Sequence, residues 1–171
     1  DPLKDFVIDG LKDSGIKLDA IIDPTRPTIN KNVVIAEGYR LLKIDTLDNR
    51  PISESILEKL IQSITNSSAD GVAFCDFRHG IFSRMSVPLL TEAIPPNIFS
   101  VADSQVASRW GNITEFKGFD LITPNERESR FALADQDSTI GGLSGLLHER
   151  AENKNLILKL GERDVFCSVK D

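Results

Sequence analysis

A chain of 171 residues, 40% hydrophobic and 27% charged, has the size and composition of one soluble globular domain with a sizeable core. Its formal net charge of −6 gives no electrostatic grip on a nucleic-acid duplex or an anionic membrane surface. Apolar runs of a few residues fall far short of the roughly 20 that span a bilayer, and no charged-then-apolar leader opens the chain, so a cytoplasmic protein is expected.

Residues 2–13 repeat apolar side chains at Leu3, Phe6, Val7 and Leu11, the stripe of a helix. The stretch IKLDAII (16–22) reads as a short strand, closed by the turn-rich DPTRP, where Asp23 and Arg26 are placed to pair. Residues 28–47 alternate too strongly for a central strand. They read as a hairpin turning at Glu37-Gly38 and standing apart as a small accessory sheet. SESILEKLIQSIT is a helix capped by Ser53 or Ser55.

The nearly unbroken apolar run GVAFCDF (71–77) reads as a strand covered on both faces. RMSVPLLTEAI follows as a helix with Pro88 in its first turns. IFSVADS and FDLIT are buried strands, NERESRFALA and STIGGLSGLLHERA are helices, and NLILKLGERDVFCSV is a strand, turn and strand. This alternation predicts an α/β fold: a mostly parallel sheet with helices on both faces, plus the hairpin. Cys75 and Cys167 lie in apolar stretches, without the spacing to His79 or His148 that a metal site needs. Both are expected to be reduced core residues. Trp110, in SRWGN, is expected to pack its ring rather than hold a base.

Ligands of open parallel sheets bind at the carboxyl ends of the strands. That singles out Asp76, Asp103, Thr123-Pro124-Asn125 and Gly161. Asp and Asn at such places also serve as helix caps. Pro124 ends its strand because it has no N–H for the ladder. Asn125 then opens a helix whose free amides attract anions. Glu128, one turn on, would repel a bare phosphate but suits a magnesium-bridged one, since magnesium takes oxygen ligands and keeps waters. Glu126 and Glu128 equally suit the positive end of the helix dipole.

TPNERES resembles the Asn-x-x-Glu motif of the ribokinase-like, or phosphofructokinase-B, carbohydrate kinases. The resemblance implies that Asn125 and Glu128 organise magnesium and nucleotide phosphates. DPTRPTINKNVVIAEGYRLLKID is similar to the lid hairpin of bacterial heptose-phosphate kinases. FCDFRHGIFS resembles their Ser-Asp-Tyr-x-Lys-Gly, with Asp76 and Gly80 kept and Phe77 and His79 substituted. SVADSQ resembles Val-Asp-Pro-Lys, keeping Asp103 and carrying Gln105 for the lysine. LKLGERDVF resembles the Thr-x-Gly-x-x-Gly turn beside the nucleotide, keeping Gly161 and carrying Lys159 and Asp164 elsewhere.

The resemblance covers nearly the whole chain and implies ATP-dependent phosphorylation of a sugar or sugar phosphate. ATP and magnesium would be held at Asn125, Glu128, Gly161 and Asp103, and the acceptor at Asp76, Lys31 and Arg40. It also implies a central portion of such a kinase. Neither the family's first glycine-rich sugar motif nor its Gly-Ala-Gly-Asp base and anion hole occurs in residues 1–171, and TIGGLSG lies in a helical pattern. The sugar motif is expected before Asp1 and the catalytic base after Asp171, so no catalytic residue is assigned within the chain. This chain alone is therefore expected to be inactive. The apolar hairpin is expected to pair two copies as a homodimer. A non-catalytic sugar- or nucleotide-binding domain stays open beside the kinase. An NAD enzyme is disfavoured, because no G-x-G-x-x-G follows a strand.

Overall fold

The protein is described by a computed structural model covering residues 1–105 and 111–170. Trp110 lies outside the described residues, and so does Asp171, after which the catalytic base is expected. Helix α1 spans Pro2–Asp13, capped by Asp1, and buries none of its residues. Strands β1 (Asn30–Ala36) and β2 (Tyr39–Thr46) form an antiparallel hairpin that pairs with no other strand among the described residues. Glu37 and Gly38 both take positive φ, 50° and 81°. Two such residues make the tight turn whose twist suits a hairpin.

Five strands make the main sheet: β3 (Gly71–Asp76), β4 (Phe99–Ser104), β5 (Leu121–Ile122), β6 (Asn155–Lys159) and β7 (Val165–Val169), in that spatial order. The first four are parallel and β7 runs antiparallel. Between them lie α2 (Glu54–Thr65), α3 (Ser86–Glu92), α4 (Glu126–Leu133) and α5 (Ile140–Ala151). Ser53 caps α2, and Pro88 stands third in α3, where its missing N–H costs no helical bond. The mostly parallel sheet with helices and a separate hairpin is the expected class.

The core shows how the layers meet. In-register residues Phe74, Ala102, Ile122 and Leu156 share one face of the sheet and join Val87, Leu90, Leu143 and Leu147 of the helices in one buried cluster. Phe74, Phe82, Phe116 and Phe119 pack there with ring centroids 5.2 to 6.5 Å apart. Tilted and edge-on pairs of this kind contribute about 0.5–1.5 kcal/mol each beyond the area they bury.

The opposite face departs from expectation. Ala73, Cys75, Phe99, Cys167 and Val169 are exposed there, and Val101, Leu121 and Ile157 are half-buried. Strand β3 is therefore an edge strand alternating buried and exposed residues, not one covered on both sides. Both cysteines are free, as expected, but stand on this open face rather than in the core. The run 16–22 also differs. It takes no regular secondary structure and belongs to neither sheet among the described residues.

Candidate active site at the strand ends

Four parallel neighbours with matched register bring Asp76, Asp103, Asn125 and Gly161 to one edge of the sheet. Strand β5 stops at Ile122, and the buried Pro124 passes its carbonyl to the Lys159 amide (2.9 Å). Asn125 then caps α4. Its side-chain oxygen accepts from the Glu128 amide (2.8 Å), and Glu128 Oε2 accepts from the Asn125 amide (2.8 Å). This reciprocal box satisfies two donors that a helix start leaves open.

The other Glu128 carboxylate oxygen has no hydrogen-bond partner among the described residues. One free carboxylate oxygen fits magnesium that takes its remaining ligands from phosphates and water. It does not fit a cage made by the protein, and no cluster of three or more His, Cys, Asp or Glu that could hold a metal is found among the described residues.

Asp103, with its side chain 43% exposed, accepts from Thr123 Oγ1 (3.1 Å) and from Lys159 Nζ (2.9 Å). Lys159 thus places a cation between Asp103 and the Gly161 turn. Gly161 takes φ +67° at the start of a short 3₁₀ turn, and a Cβ there would meet open space, so its constraint is conformational. Glu126, held below the usual carboxylate range chiefly by its hydrogen bond from Arg130, also pairs with Arg163 of that turn.

Asp76 is placed differently from the open, ligand-facing position expected of it. It is 3% exposed, and Arg78 covers it with its amide (2.8 Å) and its guanidinium (3.0 Å), while Ser104 Oγ donates at 3.1 Å. Arg78 takes φ +65° and also reaches the Gln105 carbonyl (2.8 Å), which ties the ends of β3 and β4 together. Burial lowers the Arg78 pKa, with Asp76 opposing the shift. Arg40 sits next to the hairpin tip, across from Ile35. That is about 13 Å along the strand from Lys31 and the hairpin foot.

Lys31 lines a cavity of about 800 Å³ between the hairpin foot, α2, α3 and the ends of β3 and β4. This volume is within the usual range for small-molecule sites. Phe77, His79, Phe82, Met85 and Gln105 are among its walls. Sequence reasoning missed the cavity, because its walls come from segments that no single motif joins. The one signal was substitution at Phe77 and His79 within an otherwise matching stretch.

Arg26 braces the hairpin foot as the turn sequence suggested, pairing with Asp23 at 2.8 Å. It also donates to the carbonyls of Arg50 (2.8 Å) and Pro51 (2.7 Å). Gly80, at φ +89°, packs so tightly there that a Cβ would overlap the Arg50 carbonyl.

An open sheet with parallel carboxyl ends gathered at one edge and a free-standing hairpin beyond them is the ribokinase-like arrangement. The chain aligns over its full length with ribokinase from Giardia lamblia at TM-score 0.76 and 17% identity, covering 53% of that chain. It aligns over 98% of its length with the tetrameric inhibited form of phosphofructokinase-2 from Escherichia coli at TM-score 0.74 and 13% identity, covering 56% of it.

In sequence it is 27% identical over 130 residues to the bifunctional protein HldE of Wolinella succinogenes, and 24% identical over 153 residues to that of Sulfurimonas denitrificans. These matches cover 72% and 88% of this chain but 25% and 31% of those proteins. No protein-family model matches the chain. The fold is ribokinase-like, and the sequence is similar to part of HldE.

Proposed function

We propose that this chain is part of an ATP-dependent carbohydrate kinase acting on a sugar or sugar phosphate of the heptose 7-phosphate kind. The observation that carries this reading is the Asn125–Glu128 helix start beside the Gly161 turn, on the same sheet edge as the cavity below the hairpin. The similarity to HldE supports it. Phosphoryl transfer is mostly positioning and charge stabilisation. Asn125 and Glu128 would hold magnesium and its waters, which neutralise phosphate charge. Gly161 lets the backbone run close to the nucleotide, and Asp103 with Lys159 sets the charge between nucleotide and acceptor. Lys31 faces the acceptor. Asp76 acts through Arg78 by fixing the strand ends.

In the longer protein, Glu128→Gln is expected to keep the helix, because glutamine also completes a capping box. It should lower ATP-dependent phosphorylation of heptose 7-phosphate about tenfold or more and shift its magnesium dependence upward. An unchanged magnesium titration removes the metal role. Residues 1–171 alone are proposed to turn over no sugar, since they contain no Gly-Ala-Gly-Asp base; loss of a general base costs roughly 10²–10⁴ in rate. The base of the longer protein is proposed to follow Asp171.

The hairpin is proposed to join two copies. Val33, Val34, Ile35, Leu41, Leu42 and Ile44 are all exposed on it, 41% to 65%, and an apolar surface of this kind marks an interface. Sedimentation should show a dimer at micromolar concentration, and Ile35→Glu with Leu42→Glu should give monomer. A monomeric parent protein sinks the dimer reading. A non-catalytic sugar- or nucleotide-binding domain is the second reading, favoured by the internal satisfaction of Asp76 and Asn125.

A further inference from the structure

One wall of the cavity below the hairpin is apolar and wet. Met85 and Leu89 stand four residues apart at the start of α3, so they share one face of the helix, and Phe77 directly follows β3. All three line the cavity and are 43% to 75% exposed. Phe77 joins none of the ring pairs among the described residues and lies outside the buried cluster. It stands where the kinases that FCDFRHGIFS resembles carry tyrosine, so the wall lacks that hydroxyl.

Small-molecule sites are mostly apolar, with a few polar groups placed to fix the ligand. Several polar groups of this cavity are already engaged within the protein. Ser86 Oγ donates to the Ile81 carbonyl (2.6 Å), His79 Nδ1 lies 3.2 Å from Asn49 Oδ1, and Arg78 holds Asp76 and the Gln105 carbonyl. A ligand hydroxyl turned toward Phe77, Met85 and Leu89 would lose its water and gain no partner from them. A carbon-bound hydrogen loses little there, and the negative face of an aromatic ring attracts it.

We propose that Phe77, with Met85 and Leu89, selects the acceptor by receiving a hydroxyl-free face of its sugar ring. The ligand class is a pyranose with at least one face clear of axial hydroxyls. The proposal rests on reading the cavity as the acceptor site. Phe77 has no proton to give or take, so it acts in recognition and not in phosphoryl transfer.

The experiment is titration of the 171-residue chain with two sugars, followed by the proton resonances of the sugar. Methyl β-D-mannopyranoside keeps one ring face free of axial hydroxyls. Its altro epimer, changed at a single carbon, carries an axial hydroxyl on each face. The mannoside should bind, with the hydrogens of its free face moved upfield by the Phe77 ring, and the altroside should bind about tenfold more weakly. Phe77→Leu keeps an apolar side chain but no ring. It should remove the upfield shift and weaken the mannoside about fivefold, whereas Phe77→Tyr should keep the shift and stay within about threefold. Met85→Gln, which offers the hydroxyl a partner, should narrow the gap between the two sugars.

Three results overturn the proposal: no binding of the mannoside, equal affinity for the two epimers, or an upfield shift that survives Phe77→Leu. A longer protein that phosphorylates sugars without this shift would keep the kinase and lose the apolar wall. The shift in a protein that transfers no phosphate would do the reverse.

Discussion

Asp48 and Arg50 face each other across a tight bend at the foot of the hairpin, with the guanidinium 2.6 Å from the carboxylate. The hydrogen bond from Arg50 is the main cause of an Asp48 pKa near 2, against an ordinary 3.8. Unfolding frees the carboxyl to take up a proton at higher pH than the folded protein allows. The stabilisation is therefore complete above pH 3.8 and disappears as pH falls through 2. Urea midpoints measured from about pH 5 down to about pH 2 should fall less steeply in Asp48→Asn than in the parent chain. Equal slopes would show that the pair contributes nothing in solution. The same foot carries Arg26, whose guanidinium ties the turn before β1 to the segment after β2. The pairing of Asp23 with Arg26 was readable from DPTRP alone, because both lie in one turn. The carbonyl contacts were not, because their partners lie 24 and 25 residues away.

Elements differ in how much of them local sequence decides. The capped helices and the hairpin turn follow from residues a few positions apart, so Ser53, Asn125 and Glu37-Gly38 mark them directly. Asn125 and Glu128 were legible as a motif for the same reason. The state of residues 16–22 depends on a distant neighbouring strand, and the exposure of one side of β3 on its place at the sheet edge. Neither leaves a local trace. Helix α5 and strand β7 show a long-range tie of this sort. Ser168 Oγ lies 2.8 Å from His148 Nε2 and 2.7 Å from Ser144 Oγ, while His148 Nδ1 donates to the Asn153 carbonyl. Ser168→Ala would orphan the buried His148 nitrogen, so it should cost about 1–3 kcal/mol by urea denaturation and speed amide exchange in β7. Ser168→Thr should restore most of the loss. A neutral Ser168→Ala would mean that β7 is held by its ladder alone.

At the scale of the whole molecule, the accessible surface is 11165 Å², whereas a compact monomer of this length exposes about 8,300 Å². The exposed α1, the hairpin and the uncovered face of the sheet all add to that surface. That open face has a calorimetric consequence. The heat-capacity increment of unfolding follows the apolar area newly given to water, and a fully packed chain of 171 residues would show about 2–2.5 kcal/mol/K. Side chains such as Phe99 and Val169 are wet before melting begins, and they add little when the chain unfolds. Scanning calorimetry of the isolated chain should give an increment well under that range, with a correspondingly flatter curve of stability against temperature. A full-sized increment would mean that the face is covered in solution, and the rise of that increment in a longer protein would measure the area its added segments enclose.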